Sequence, residues 1–188
     1  MNNLKNIKEI LDFGTSEEKI KILESNSFTD DIEIIQKIIS KLDDVDIQVR
    51  GEAFSSLVLN KNEISELLIT SLDSQNKNIR GYSALVLANR NDSDAIPEII
   101  KLTADQSSMV RSCALGALGH LKAKKAKQAI YNCLFDSNLE VKKSALQAII
   151  DLEYSLTEDK IKEISKEKDS ELERLLGNVK KESGPKGI

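Results

Sequence analysis

The sequence predicts an all-α solenoid of about five antiparallel helix pairs with extra helices at both ends. Three observations carry that expectation. First, Val49-Arg50, Ile79-Arg80 and Val110-Arg111 are continued by Val141-Lys142, placing a basic residue behind a β-branched one at steps of 30, 31 and 31 residues. Self-similarity at a period of about 20 to 50 residues marks a chain of stacked units, each touching its neighbours. Second, other columns keep the period. Three residues after the basic position stand Ala53, Ser83, Ala114 and Ala145, and seven after it stand Leu57, Leu87, Leu118 and Ile149. Allowing one deletion after Leu59, Ile38, Leu68, Ile99, Ile130 and Ile161 form a further column. Third, apolar residues recur at helical spacing, and strand-like alternation is absent.

A first helix uses Leu4, Ile7, Ile10 and Leu11 and stops at Gly14, a residue type that tolerates the left-handed conformation of many helix ends. Thr15 and Glu18 have capping-box spacing and start the next helix. The pairs then fall at 16–25 with 30–42, 47–59 with 62–72, 78–89 with 94–104, 108–121 with 124–135 and 139–152 with 157–167. A last helix covers 170–180, where a sixth register opens at Glu173. Thr29, Asp46, Asn76, Ser107, Asn138 and Thr157 stand at the starts, and their side-chain oxygens can accept from exposed N–H groups. Pro97 lies in a first turn, where its missing donor costs little. The repeat region reads as a single domain over 1–181, and residues 182–188, with two Gly and one Pro, read as a disordered tail.

Composition fits a thin aliphatic core. Apolar residues make up 40%, charged ones 31% and aromatics 4% with no Trp. No apolar stretch approaches the roughly 20 residues of a membrane-spanning helix, and the charged N-terminus does not read as a secretory signal. Cys113 and Cys133 are the two cysteines, which points to thiols in a reducing, cytoplasmic setting. A formal net charge of −4 weighs against capture of nucleic acid, whose affinity grows with each phosphate neutralised.

The segment from Asp105 to Leu152 resembles HEAT repeats, in particular the short-period variety of phycobilisome-lyase-like proteins. Val110, Arg111, Ala114, Leu115, Gly116, Ala117, Leu118 and Gly119, with Asp105 before them and Asp136 and Val141-Lys142 after, follow that family's Asp…Val-Arg-x-x-Ala-x-x-Ala-Leu-Gly pattern. The likeness extends weakly over 16–180, with Phe54, Ser55 and Ser56 replacing part of the Ala-rich run. It implies a right-handed superhelix whose second helices line a concave side. It also implies that the Arg column, with Asp43, Asp73, Asp105 and Asp136 six or seven residues earlier, forms a side-chain ladder across turns. The other reading of these residues is a helix-start Asp and a solvated Arg.

Catalysis finds little support. The family's deoxyhypusine hydroxylases hold a pair of irons through repeated His-Glu pairs, and here the one His, His120, is followed by Leu121. No Gly-rich phosphate loop, nucleophile triad or close cysteine pair stands elsewhere, so no catalytic, metal or cofactor residue is assigned. Tyr82, Tyr131 and Tyr154 are scattered and do not suggest a chromophore pocket.

The sequence therefore points to a non-enzymatic scaffold, monomeric by default, that binds another protein along the concave face. The contact candidates are outward positions of the second helices: Gln36, Lys37, Glu63, Glu66, Glu98, Lys101, Lys125, Gln128, Asn132, Asp159 and Glu163. Glu52 and Lys143 represent the opposite face. One alternative is a nucleic-acid module using the loop from Lys122 to Lys127 with Lys142 and Lys143; another is an accessory subunit of a lyase-like enzyme. The columns make one claim about stability. Ala114→Leu overpacks a close helix contact and is expected to cost roughly 1 to 3 kcal/mol, whereas Lys125→Ala stays within about 0.5 kcal/mol. Equal melting temperatures for the two variants would contradict the register.

Overall fold

Apolar residues at helical spacing, most runs opened by a capping side chain, fold into twelve α-helices among residues 2–181, the residues that the computed structural model describes. The expectation for 182–188 lies outside the described residues. The architecture is an all-α solenoid of helix pairs, and the described residues divide into two compact units, one up to Glu98 and one from Ile99.

The first unit contains α1 (Asn2–Phe13), α2 (Ser16–Ser25), α3 (Ile32–Ser40), α4 (Ile47–Leu59), α5 (Ser65–Ser71) and α6 (Lys77–Asn89). Helices α2, α4 and α6 touch in one row and α1, α3 and α5 in a second, and the rows meet through α1 with α2, α3 with α4 and α5 with α6. Leu23, Ile35, Ile38, Leu42, Leu57, Leu68 and Leu87 are buried between them. Helix α7 (Ile96–Leu102) carries the boundary. The second unit continues with α8 (Ser108–His120), α9 (Lys127–Cys133), α10 (Leu139–Asp151), α11 (Glu158–Ile164) and α12 (Ser170–Asn178). Helices α8, α10 and α12 form its row, with α9 packed on α10. One departure from pure helix is a two-residue parallel pairing of β1 (Ser155–Leu156) with β2 (Lys180–Lys181).

The small column is close-packed: Ala53, Ser83, Ala114 and Ala145 are all fully buried. Ser83 keeps a hydroxyl there because Ser71 Oγ bonds it at 2.7 Å. In the aliphatic column Ile38, Leu68, Ile99 and Ile130 are buried, but Ile161 is half-buried and Ile164 takes the inward position at the end of the stack.

Several helix ends differ from expectation. The capping oxygen of α3 is Asp31, which accepts from Glu33 N and Ile34 N, while Thr29 accepts from Asp31 N one step earlier. Ser107 occupies the cap position of α8 without a side-chain bond. The second helices are shorter than their apolar runs because α3 ends in, and α7 and α9 begin in, a 3₁₀ turn, at Lys41–Asp43, Ser93–Ala95 and Lys124–Ala126. Gly14 is not left-handed. A Cβ there would stand 2.6 Å from Ile10 O, so close approach to its own helix demands the glycine. The left-handed residues are Asn91, Lys122 and Glu153, 31 apart, each following a first helix. The N–H after each reaches back into that helix, as in Asp92 N to Leu87 O at 3.0 Å, Ala123 N to Leu118 O at 3.0 Å and Tyr154 N to Ile149 O at 2.9 Å. That is the Schellman way of using orphan carbonyls.

The Arg column has a repeated task. Arg50 Nη1 donates to Asp44 O at 2.7 Å and Val45 O at 3.3 Å. Arg80 Nη1 donates to Ser74 O at 2.8 Å and Gln75 O at 3.1 Å, and Arg111 Nη1 to Asp105 O at 2.8 Å and Gln106 O at 3.3 Å. Each guanidinium thus ties its helix to the turn five and six residues before it. Its remaining edge can reach the acid of the following turn. Arg111 grips Asp136 through Nε to Oδ2 at 2.7 Å and Nη2 to Oδ1 at 2.8 Å. Lys19 pairs with Asp44 at 2.8 Å, and Lys142 with Glu167. The ladder exists, but its first acid is Asp44 rather than Asp43, which accepts from Asn78 Nδ2 at 2.6 Å and from Asn76. At the next rung Ser74 replaces the acid, since Asp73 is one residue out of register and exposed.

The Arg111 hydrogen bonds hold the Asp136 carboxyl below the usual carboxylate range, outweighing the opposing effect of burial. A carboxyl lowered in the folded state adds stability above its unfolded pKa of about 4 and loses it as pH falls through the folded value. Arg111→Gln is therefore expected to cost about 2 kcal/mol at pH 7, a deficit that shrinks below about pH 4. Urea melts at both pH values check this, and a deficit independent of pH would refute the linkage.

Candidate functional site

The second-helix candidates are placed mostly as outward residues. Gln36 on α3, Glu63 just before α5, Glu66 in its first turn, Lys101 on α7, Lys125 in the turn before α9, Gln128 and Asn132 on α9, and Asp159 and Glu163 on α11 are exposed. Gln128 Nε2 bonds Asn132 Oδ1 at 2.9 Å, one helical turn apart. Lys37 is half-buried, and its ammonium is held by both oxygens of Asp12 at 2.7 and 2.6 Å, so it ties α3 to α1. Glu98 is half-buried on α7. The side chains of Gln36, Glu63, Glu66, Lys125, Asp159 and Glu163 make no hydrogen bond or ion pair among the described residues, and no contact gathers them into one site.

Much of the basic alternative is occupied. Lys122 Nζ donates to Asp151 O at 2.6 Å. Lys127 lies over two rings, 5.6 Å from the Tyr131 centroid and 5.2 Å from that of Tyr154. Lys142 pairs with Glu167, and Lys143 with Glu140 at 3.1 Å and with Asp169 and Glu171 at 3.2 Å. The hydrogen bond that Lys143 donates to Glu140, outweighing burial and joined by those it donates to Glu171 and Asp169, raises the Lys143 pKa. Lys143 is thus a structural rivet rather than a free surface charge. Two tyrosines that look scattered in sequence meet: the Tyr131 and Tyr154 centroids are 6.2 Å apart. Their hydroxyls donate to Ser155 O at 2.6 Å and Lys124 O at 3.0 Å, and Lys160 lies 4.5 Å from the Tyr131 ring. This cation–π cluster staples loops across one repeat.

The feature that sequence reading missed lies on the first helices of unit 1. Ile47, Arg50, Gly51 and Phe54 of α4, with Tyr82 and Leu85 of α6, line an apolar groove of about 300 Å³. Beside it Val45 is 96% exposed and Ile47 72%, unusual for aliphatic side chains this close together. Gly51 is exposed, and a Cβ there would meet nothing within 4 Å. The signal available in the sequence was negative: apolar residues at outward first-helix positions that no core column explains.

Cys133 is buried in α9, its thiol 3.5 Å from Thr103 O, and Cys113 is half-buried in α8 beside Met109. Burial pushes both thiols up to about 11. His120 is exposed at the end of α8. Among the described residues no group of three or more His, Cys, Asp or Glu could hold a metal, and no helix is long and apolar enough to cross a membrane. Because the thiolate is the nucleophile, Ellman's reagent at pH 8 is expected to label both cysteines slowly in the folded protein and rapidly in guanidinium. Fast native labelling would contradict the burial seen here.

Residues 64–150 match the family model described as HEAT repeats. Among solved structures, the complex of CpcE and CpcF of phycocyanin lyase from Nostoc sp. PCC7120 is similar at 21% identity and a TM-score of 0.65, over 78% of this chain and 97% of that one. An engineered protein is similar at 19% identity and a TM-score of 0.53 over 95% of each chain. A designed armadillo repeat protein in complex with the peptide (KR)4 is similar at 17% identity and a TM-score of 0.51, over 93% of this chain and 89% of that one. Identities this low speak to fold alone. No curated protein sequence matches the chain.

Proposed function

Residues 64–150 of this chain are HEAT repeats, and from that premise we propose that the protein is a non-enzymatic adaptor that binds another protein. The observation that carries this reading is the exposed apolar patch on α4, the turn before it and α6, where Val45 and Ile47 stand in solvent beside a groove. Such patches on soluble proteins mark contact surfaces. The likeness to an armadillo design in complex with a peptide supports this reading. Glu63 and Glu66, exposed and unengaged, offer a second contact ridge in the same unit, and Lys125, Asp159 and Glu163 do so in the other. We place the protein in the cytoplasm, where its two cysteines would stay thiols.

The nucleic-acid alternative loses support because four of its lysines are engaged internally. The lyase-like alternative keeps the phycocyanin lyase likeness, but would require a bound pigment. The test of the adaptor reading is selection of random dodecapeptides displayed on phage against the purified chain. Enrichment over empty resin is expected, and its absence would sink the reading. Glu63→Lys with Glu66→Lys is expected to leave helicity and melting nearly unchanged, within about 0.5 kcal/mol, so loss of peptide binding in that variant assigns the ridge. Retardation of DNA or RNA in gels, weakening steeply with salt, would favour the alternative instead.

A further inference from the structure

The repeat itself shows what Arg50 lacks. In the same register, Arg111 holds two backbone carbonyls with Nη1 and a carboxylate, bidentately, with Nε and Nη2. Arg50 holds the carbonyls of Asp44 and Val45 in the same way. Its Nε and Nη2, however, make no hydrogen bond among the described residues. The reason is one substitution in the acid column: where Asp44, Asp105 and Asp136 stand six residues before a basic position, the residue before Arg80 is Ser74. Ser74 keeps part of the acid's work, its Oγ accepting from Asn76 N at 3.2 Å as Asp44 Oδ1 accepts from Asp46 N at 3.1 Å. A hydroxyl cannot supply the two acceptors that a guanidinium fork takes from a carboxylate. Nearby acids are otherwise used. Asp43 accepts from Asn76 and Asn78, Asp46 caps α4 through Gln48 N at 2.8 Å, and Glu52 accepts from Ser56 Oγ at 3.4 Å.

Arg50, which carries this preset, unfilled fork, is one of the residues lining the apolar groove described above. We propose that the groove binds a partner's peptide segment in which an Asp or Glu lies beside a bulky apolar side chain, the carboxylate taking Arg50 Nε and Nη2 and the apolar group resting on Phe54, Tyr82 and Leu85. The carbonyl bonds of Nη1 hold the guanidinium in place before the partner arrives, so little side-chain entropy is lost on binding. Gly51 leaves the space above α4 open for the segment's backbone. The proposal rests on the adaptor reading and adds the location of the site and the chemistry of the partner.

The experiment starts from the phage-selected dodecapeptides. The most enriched one is synthesised with a fluorophore, and its affinity is measured by anisotropy with the full chain. Enriched peptides are expected to share an Asp or Glu within two residues of Leu, Ile, Phe, Tyr or Trp. Changing that acid to its amide should weaken binding about tenfold or more. Two variants remove the site without removing Arg50, whose loss would also free the loop carbonyls. Ser74→Asp restores the missing acid, and is expected to raise the melting temperature by about 2 to 4 °C while weakening the peptide about tenfold or more. Gly51→Leu fills the groove at an exposed helical position where helix propensity improves, and should abolish binding with the fold intact.

Peptides that bind Ser74→Asp and Gly51→Leu as well as the wild type, and lose affinity with the Glu63 and Glu66 reversal, overturn this inference while leaving the adaptor reading standing. No enriched peptide overturns both. If sedimentation shows self-association that Gly51→Leu abolishes, the occupant is a second copy of the chain, and the acidic-peptide assignment is wrong.

Discussion

The turn that leads into each first helix exposes carbonyls that the following helix cannot satisfy, and the stack depends on how those carbonyls are closed. A basic side chain one turn into the helix folds back over them: Arg50, Arg80 and Arg111 use the same nitrogen on the same two positions, five and six residues upstream. Arginine suits this because its donors form a rigid fork with more than one edge. One edge fixes the local turn, and another is left for a carboxylate one repeat further on. Local loop geometry and repeat-to-repeat registration are thereby set by a single side chain. The apolar columns supply the burial, roughly 1.5 to 3 kcal/mol for each fully buried Ile or Leu, and the ladder decides at which register that burial occurs.

A ladder of this kind also defines what a missing rung means. In an irregular protein an arginine edge without a partner is simply a solvated cation. Here Arg111 shows what the same atoms do when the rung is complete, so Ser74 can be recognised as a substitution with a consequence. Helix α4 and the turn before it carry this incomplete rung, Gly51, and the exposed apolar pair Val45 and Ile47, all on one stretch of chain. Unit 2 completes its rungs at Arg111 and Lys142 and adds the cation–π cluster of Lys127, Tyr131, Tyr154 and Lys160. The internal economy of the second unit is closed, and that of the first is left open at one place.

Much of the fold was legible in the sequence because a repeat writes the same physical requirement several times. Four basic positions, the small column and the aliphatic columns each recur, so chance at one position is corrected by the others. The exceptions are instructive. Ile161 continues its column by period, yet burial there passes to Ile164, because the last pair has less to pack against. Gly14 marks a helix end through close approach to Ile10 O rather than through a left-handed backbone. The left-handed positions that do repeat are held by Asn91, Lys122 and Glu153, of which Asn alone is a residue type that signals them.

What the sequence by itself determined is the all-α stack, its period, the buried columns and the placement of most second-helix candidates on the outside, since these follow from spacing along one helix. The tertiary structure alone decided which charges are free. Lys37, Lys122, Lys127, Lys142 and Lys143 look like surface cations in sequence, but each has a partner outside its own helix. It also brought Tyr131 to Tyr154 and set Phe54 beside Tyr82 across α4 and α6. The physical reason is the same in each case. Helical periodicity fixes the direction of a side chain about its own axis, whereas a partner one repeat away is fixed by register between helices, where a one-residue offset such as Asp73 for Ser74 changes which side chain arrives.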